Sequence, residues 1–307
     1  MKIFAPNYYN EFACIADKCQ HNCCIGWEID IDDEALKKYH SKDGDFGKRL
    51  RENIVTEDGC PHFKLSENER CPFLNENNLC DIFINSGEDS LCQICTDHPR
   101  FRNFFDSRIE IGLGLTCEEA ARIILTNNKK VSLIEIETDE NENISEDDEV
   151  FFSFRENVFR IIQDRVPNVY ERILALLSHF DIKIPEKSFS ELADMFLSFE
   201  QMDGKWTDMI FKLKHLKGAF NSVIFSDKFK IAAEQLLVYF IYRHLSDAVF
   251  DGKFKERIAF SCFSVMMIDY LAYSHFVENK AFEISDLIEI SRLYSSEIEY
   301  SEESISF

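Results

Sequence analysis

Cations are scarce in this chain. Its 307 residues carry 34 Lys and Arg against 56 Asp and Glu, a formal charge of −22. A nucleic-acid binder needs a cationic face to displace counterions from phosphates, so the balance argues against nucleic acid as a partner. The same acidity keeps a cytosolic protein soluble and would favour a basic peptide partner. There is no basic, apolar leader ending in small residues at Met1, so the expected location is the cytoplasm. Long apolar runs are missing as well. The most apolar late segment, "IAFSCFSVMMIDYLAYSHF", is interrupted by Asp269 and several polar residues, which fits a buried helix and no membrane. There is no G-x-G-x-x-G after a strand, and "GLGL" (Gly112 to Leu115) reads as a strand that tolerates glycine, so no ordinary Rossmann-like site is visible. The spacing C-x3-C-x2-C is also absent: Cys19 and Cys23 open it, but Cys24 follows with no spacer.

What the chain does have is cysteine. There are 11, an odd number; 10 fall at or before Cys117 and the last is Cys262. A disulfide framework needs an oxidising compartment, and nothing indicates export, so thiols clustered this way point to metal. The spacings run C-x4-C-x3-C-C from Cys14 through Cys19 and Cys23 to Cys24, then Cys60, Cys71-Pro72, Cys80, Cys92-x2-Cys95 and Cys117. Thiolates are soft ligands suited to iron–sulfur clusters or zinc. Zinc sites favour close pairs, and only Cys92 and Cys95 have that spacing. The adjacent Cys23 and Cys24 direct their side chains apart, so they would serve two metals or two irons of one cluster. Proline after Cys71 also occurs in ferredoxin-type ligand runs. Iron–sulfur is the leading reading, with zinc and mixed or non-metal roles as alternatives.

Apolar residues at 45% and 29 Phe mark a folded chain rather than a disordered one. The expected fold is mainly α, with a small irregular α+β Cys-rich metal-binding N-terminal region and a helical C-terminal domain. Residues 1–137 form the Cys-rich region with short strands, 138–149 an acidic linker or loop, and 150–307 the helical domain. In the first part "GWEIDID" (Gly26 to Asp32), "IEIGLGLT" and "KVSLIEIET" read as strands, and "DDEALKKYH" as a helix with acids in its first turn. "CEEAARIIL" reads as a helix with Thr116 as N-cap and Glu119 at the capping-box position. Beyond residue 149, apolar residues recur at three- and four-residue spacings almost throughout. No internal repeat is evident.

"FACIADKCQHNCCIGWEIDID" resembles the entry motif of the flagellin lysine N-methylase family. "CPFLNENNLCDI", "CTDHPRF" and "LGLTCEEAARIIL" follow in that family's order, and "SRLYSSEIEYSEE" is similar to its closing segment. The C-C-x-G-W and C-P-F-L elements are shared more loosely with small proteins described as zinc- or iron-chelating. The resemblance implies an S-adenosylmethionine-dependent protein-lysine N-methyltransferase acting on flagellin, with a Cys-ligated iron–sulfur site. It selects Cys14, Cys19, Cys23, Cys24, Cys71, Cys80, Cys95 and Cys117 as ligands. Eight thiolates would fill two 4Fe-4S cubanes, or supply one cluster plus structural contacts. The position of Cys92 often resembles serine in the family, and Cys60 and Cys262 fall outside its motifs. Two departures stand out: His98 in "HPR" where tyrosine is more usual, and Tyr300 in "EIEYS" where histidine is more usual. The chain also looks shorter than typical members, in its helical half.

Other candidates are weighed against blander roles. His21, His62 and His98 sit among the thiols as possible ligands or as ordinary hydrogen-bonded histidines. Trp27 lines a pocket or is a core aromatic on a strand. Arg100 and Arg102 hold a carboxylate of the methyl donor or form structural ion pairs. Glu297 and Glu299 face a lysine substrate or lie on a solvated helix face. Lysine, with a pKa of roughly 10.4, must lose its proton before it attacks a sulfonium methyl. A Tyr, Glu or Asp would accept that proton, and the sequence selects none, so catalytic and donor-binding residues stay unassigned. The competing functions are a metal-chelating redox or structural module, zinc or iron–sulfur, without methyl transfer, and an interaction protein stapled by zinc.

Overall fold

The computed structural model describes residues 1–138 and 145–300. The chain divides into two units. One is continuous, Ala13–Phe101; the other joins Met1–Phe12 to Arg102–Phe307. The division therefore does not follow the composition boundary at residue 137. The stretch 1–137 is shared between both units, because β1 (Lys2–Pro6) belongs with the helices and not with the thiols that follow it.

The continuous unit is small and irregular. It holds α1 (Asp33–Ser41), α2 (Gly44–Glu52), the hairpin of β2 (Ile54–Glu57) and β3 (Cys60–Phe63), and the short helices α3 (Asp81–Ser86) and α4 (Gln93–Asp97). Asp32 caps α1, its Oδ1 accepting from the N–H groups of Glu34 and Ala35 at 3.1 and 3.0 Å. Its Oδ2 accepts from Gln93 N–H at 2.7 Å, so one carboxylate also fixes the start of α4. Asp58 and Gly59, at φ +49° and +84°, turn the hairpin. "GWEIDID" is not a strand: it makes a single bridge, Asp30 to His62, with Ile25 just before it bridging Arg70. Its alternation still works, since Ile29 and Ile31 are buried while Glu28 and Asp30 are exposed.

The larger unit carries a four-stranded sheet in the order β4 (Arg100–Phe104), β5 (Arg108–Leu113), β1, β6 (Leu133–Glu137). β1 lies parallel to β5, with Lys2 opposite Arg108, and antiparallel to β6, with Phe4 opposite Glu135. Its helices are α5 (Glu118–Thr126), α6 (Glu146–Ile162), α7 (Val169–His179), α8 (Phe189–Leu197), α9 (Gly204–Lys214), α10 (Lys230–His244), α11 (Ala248–Asp251), α12 (Phe254–Asn279) and α13 (Ile284–Ile298). The acidic stretch read as a linker is partly helical, because α6 begins at Glu146; residues 139–144 lie outside those described. Ser145 caps α6, and full capping boxes start α7 (Asn168, Glu171) and α8 (Ser188, Glu191). The expected box on α5 does not form. Cys117 occupies the N-cap with no side-chain capping bond, and Glu119 turns to Arg122 at 2.7 Å.

α10 is buried on nearly every side, as an apolar helix inside a bundle must be. Three buried carboxylates stabilise this interior, each met by arginine. Glu110 takes both Nη atoms of Arg155 at 2.6 Å, and Arg108. Glu234 takes Arg172 at 2.6 Å and Arg165 at 2.7 Å. Glu299 takes Arg243 at 2.9 Å. Asp269, the acid that interrupts the apolar run in α12, accepts from Val223 and Ile224 N–H at 2.9 Å. No helix among the described residues is long and apolar enough to cross a membrane.

Candidate functional site

The core of the continuous unit is built around sulfur. Cys71 and Cys92 are buried within its apolar cluster of Ile29, Tyr39, Phe63, Phe73 and Ile82, and Cys24, Cys80 and Cys95 pack against it. Four stretches of chain deliver these thiols. Cys24 and Cys71 are tied by Cys71 N–H donating to Cys24 O at 2.8 Å. Cys80 and Cys92 are the N-caps of α3 and α4, and Cys95 lies one turn into α4. Arg49 clamps two of the stretches, donating to Pro72 O at 2.6 Å and to Asp81 Oδ2 at 2.7 Å, beside Cys71 and Cys80. Tyr39 Oη donates to Ser90 O at 2.7 Å and lies 3.3 Å from Cys92 Sγ.

The thiols act on one another. The hydrogen bond from Cys24 lowers the Cys23 pKa to about 7 and, with burial, pushes Cys24 up. Cys92 and Cys95 repeat the arrangement: Cys95 donates, holding Cys92 down and itself up. Burial raises Cys71 to about 11 and also raises Cys80. Cys24 feels Cys71 and Cys95, and Cys95 feels Cys71 and Cys80, so six thiols share one electrostatic neighbourhood.

Cys23, Cys24, Cys71, Cys80 and Cys95 come together, and Cys92, set apart in the sequence reading, sits among them. Cys14 is exposed and accepts a hydrogen bond from Ala16 N–H; the Cys19 thiol donates to His21 O at 3.2 Å. Cys117 belongs to the other unit. Cys60 is exposed, its pKa raised by desolvation and then by Asp30, and Cys262 is buried in α12 with its pKa raised to about 12 by burial. Among the described residues, no three His, Cys, Asp or Glu side chains are arranged to hold a metal ion. The chemistry of the six-thiol set suits a soft metal, while its arrangement is not a finished coordination shell.

The remaining candidates have structural partners. His98 is half-buried, its pKa lowered by burial and then by Arg100. His62 is buried, with Nδ1 3.3 Å from Cys60 O. Arg100 donates to Thr96 O at 2.9 Å. Trp27 is half-buried and outside any strand, its indole N–H donating to Cys23 O at 2.7 Å. Glu297 and Glu299 are not on a solvated face; both are buried. Glu297 accepts from Met202 and Asp203 N–H at 3.1 and 2.7 Å, at the start of α9.

Glu299 anchors a second polar cluster, in the larger unit. It accepts from His244 Nε2 at 2.8 Å and Tyr239 Oη at 3.0 Å as well as from Arg243. Tyr239 Oη in turn accepts from Leu115 N–H at 3.2 Å. Tyr300 is exposed, with its ring 5.0 Å from the Arg243 guanidinium and its hydroxyl 3.5 Å from Thr116 Oγ1. The "LGLTC" and "EIEYS" motifs, remote in sequence, are thus joined. No sequence signal marked Tyr39, Arg49, Tyr239 or Arg243, whose partners lie far along the chain.

Curated proteins of Salmonella are similar to part of this chain. The flagellar biosynthetic protein FliU of Salmonella muenchen is 29% identical over 134 residues, covering 42% of this chain and 79% of that protein. Two relatives named lysine-N-methylase, from Salmonella typhimurium and Salmonella choleraesuis, are each 29% identical over 136 residues. One relative is thus named for flagellar biosynthesis and two for lysine methylation. The match to each lysine-N-methylase covers 42% of this chain and 34% of that relative, so the chain spans about a third of their length. No family model matches the chain, and no solved structure matches it.

Proposed function

We propose that this chain is a protein-lysine N-methyltransferase that takes its methyl group from S-adenosylmethionine and acts on flagellin, with an iron–sulfur site in the continuous unit. The carrying observation is the gathering of Cys23, Cys24, Cys71, Cys80, Cys92 and Cys95 in one core, in a chain whose relatives are named lysine-N-methylase. Cys24, Cys71, Cys80 and Cys95 would hold the metal group, with Cys23 and Cys92 beside them. Such a group, when bound, supplies a thiolate-ligated redox or Lewis-acid centre. Tyr39 and Arg49 position its ligands through Ser90, Cys92, Pro72 and Asp81.

The substrate lysine must shed a proton before its amine attacks. Tyr300 is the exposed polar group of the cluster that joins the two remote motifs, and we assign it to meet that amine. Glu299 is too deeply buried to do so and instead fixes Arg243 under the Tyr300 ring.

Flagellin co-expressed with the protein should gain mass in methyl-sized steps by intact-mass spectrometry, and should not do so with Cys71→Ser. Equal flagellin masses, with the wild-type chain soluble and carrying iron and acid-labile sulfide, would refute methyl transfer. They would leave the second reading, a metal-chelating module, which the separate sulfur-rich core favours. Colourless protein with stoichiometric zinc after anaerobic purification would refute the iron–sulfur assignment.

A further inference from the structure

A cavity of about 740 Å³ in the larger unit has a wall unlike the rest of the chain. Arg108, Lys130, Arg155 and Arg160 line it, against the single carboxylate of Glu156. In a chain with 56 acids and 34 bases, four cations to one acid reverses the average. Solubility does not call for such a reversal, and the fold accounts for only part of it. Arg155 is committed to Glu110, both Nη atoms donating at 2.6 Å. Arg108 shares that carboxylate through Nη2. Its guanidinium carbon lies 3.4 Å from the Phe152 ring centroid and 4.6 Å from that of Phe4, and its Nε is buried without a hydrogen-bond partner. A buried, oriented N–H with no acceptor is unusual. Arg160 gives one Nη to Asn157 at 3.0 Å, and neither Arg160 nor Lys130 forms an ion pair among the described residues.

We propose that this cavity binds a phosphate-bearing small molecule. The Arg108 fork, packed against Phe4 and Phe152, gives Nη2 to Glu110 and has its remaining N–H groups for phosphate oxygens, and Lys130 and Arg160 add charge to the wall. The volume lies within the usual range of small-molecule sites, roughly 300–1,000 Å³. Phe152 and Leu133 leave an apolar part of the wall for a nucleoside or another uncharged portion of the ligand. The sulfonium methyl donor of the proposed reaction carries cationic groups that this wall repels, so the site is separate from donor binding.

The test is calorimetric titration of the full chain with pyrophosphate and with ADP, in wild type and in a Lys130→Ala/Arg160→Ala double variant. Those two side chains are exposed, so the variant should fold; its melting curve checks that. Saturable one-site binding of at least one probe, weakened tenfold or more in the variant and further weakened by added salt, is the expected result. Tighter binding of ADP than of pyrophosphate would assign the apolar wall to a nucleoside, and equal binding would confine recognition to the phosphates. Either probe binding equally well to wild type and variant, or neither binding wild type saturably, would overturn the proposal. Arg108→Lys, which keeps the charge but loses the fork, should also weaken binding, and unchanged affinity there would remove Arg108 from the site.

Discussion

The Glu299→Gln substitution tests the buried cluster directly. Gln keeps the volume but withdraws the charge from Arg243, His244 and Tyr239. Breaking a buried ion pair by removing one partner costs about 3–5 kcal/mol. The lower end applies here, because Arg243 keeps the Tyr239 hydroxyl at 3.1 Å and the Tyr300 ring at 5.0 Å. At about 2–4 °C per kcal/mol for a folding unit of this size, the variant should melt about 6–12 °C below wild type. The pH series adds a sign. Burial lowers the His244 pKa, so the unfolded chain takes up that proton first and wild-type stability should fall below about pH 6.5. Burial works to raise the Glu299 carboxyl, but Arg243 and the His244 hydrogen bond outweigh it and hold it low. That contribution is present above the unfolded value of about 4.3 and is lost as pH falls through the folded one. The variant should keep the first loss and lack the second. Thermal melts by circular dichroism across an acid-to-neutral series read both. A variant that melts with wild type at neutral pH would show that this charge does not hold the cluster.

Asp269→Asn should raise the melting temperature at neutral pH and not in acid. Burial raises the carboxyl's pKa, so its ionised form costs the folded state more as pH rises, and Asn keeps an acceptor for Val223 and Ile224; no gain at neutral pH would count against that account. A thiol reagent should react with the exposed Cys14 early and with Cys262 only on unfolding, followed by absorbance, and early loss of Cys262 would mean that α12 opens locally. Arg49→Ala should lower stability by about 1–2 kcal/mol, with its partial exposure discounted, and should reduce iron content by metal analysis. Unchanged metal loading would show that the clamp on Pro72 and Asp81 does not organise the thiols.

Where a local pattern was sufficient, the sequence was legible. The helix starts at Asp33, Val169 and Phe189 follow from their caps and periodicity, and the strands at Ile109 and Leu133 from alternation and β-branched residues. The β2–β3 hairpin is also marked, by Asp58-Gly59 between two short stretches that pair. "GWEIDID" shows the limit of alternation: it buried the right residues but could not supply a full partner strand. Glu297 and Glu299 resemble any acids at the end of an exposed helix. Their burial depends on donors from α10 and the α9 entry, which no local pattern reveals. The clustered thiols were visible by count and order. The inclusion of Cys92 was not, because it follows from which segments share a core.

The insertion of one unit within the other sets an order during synthesis. β1 leaves the ribosome before the sulfur-rich unit, yet its partners β5 and β6 come only after that whole unit has emerged. The Ala13–Phe101 segment has all its own contacts in hand and should collapse while β1 still waits unpaired. Its thiols therefore emerge before the helical bundle exists. For that interval the nascent chain carries an unpaired strand edge and a set of thiols together, until Arg108 passes the exit tunnel and takes its place opposite Lys2.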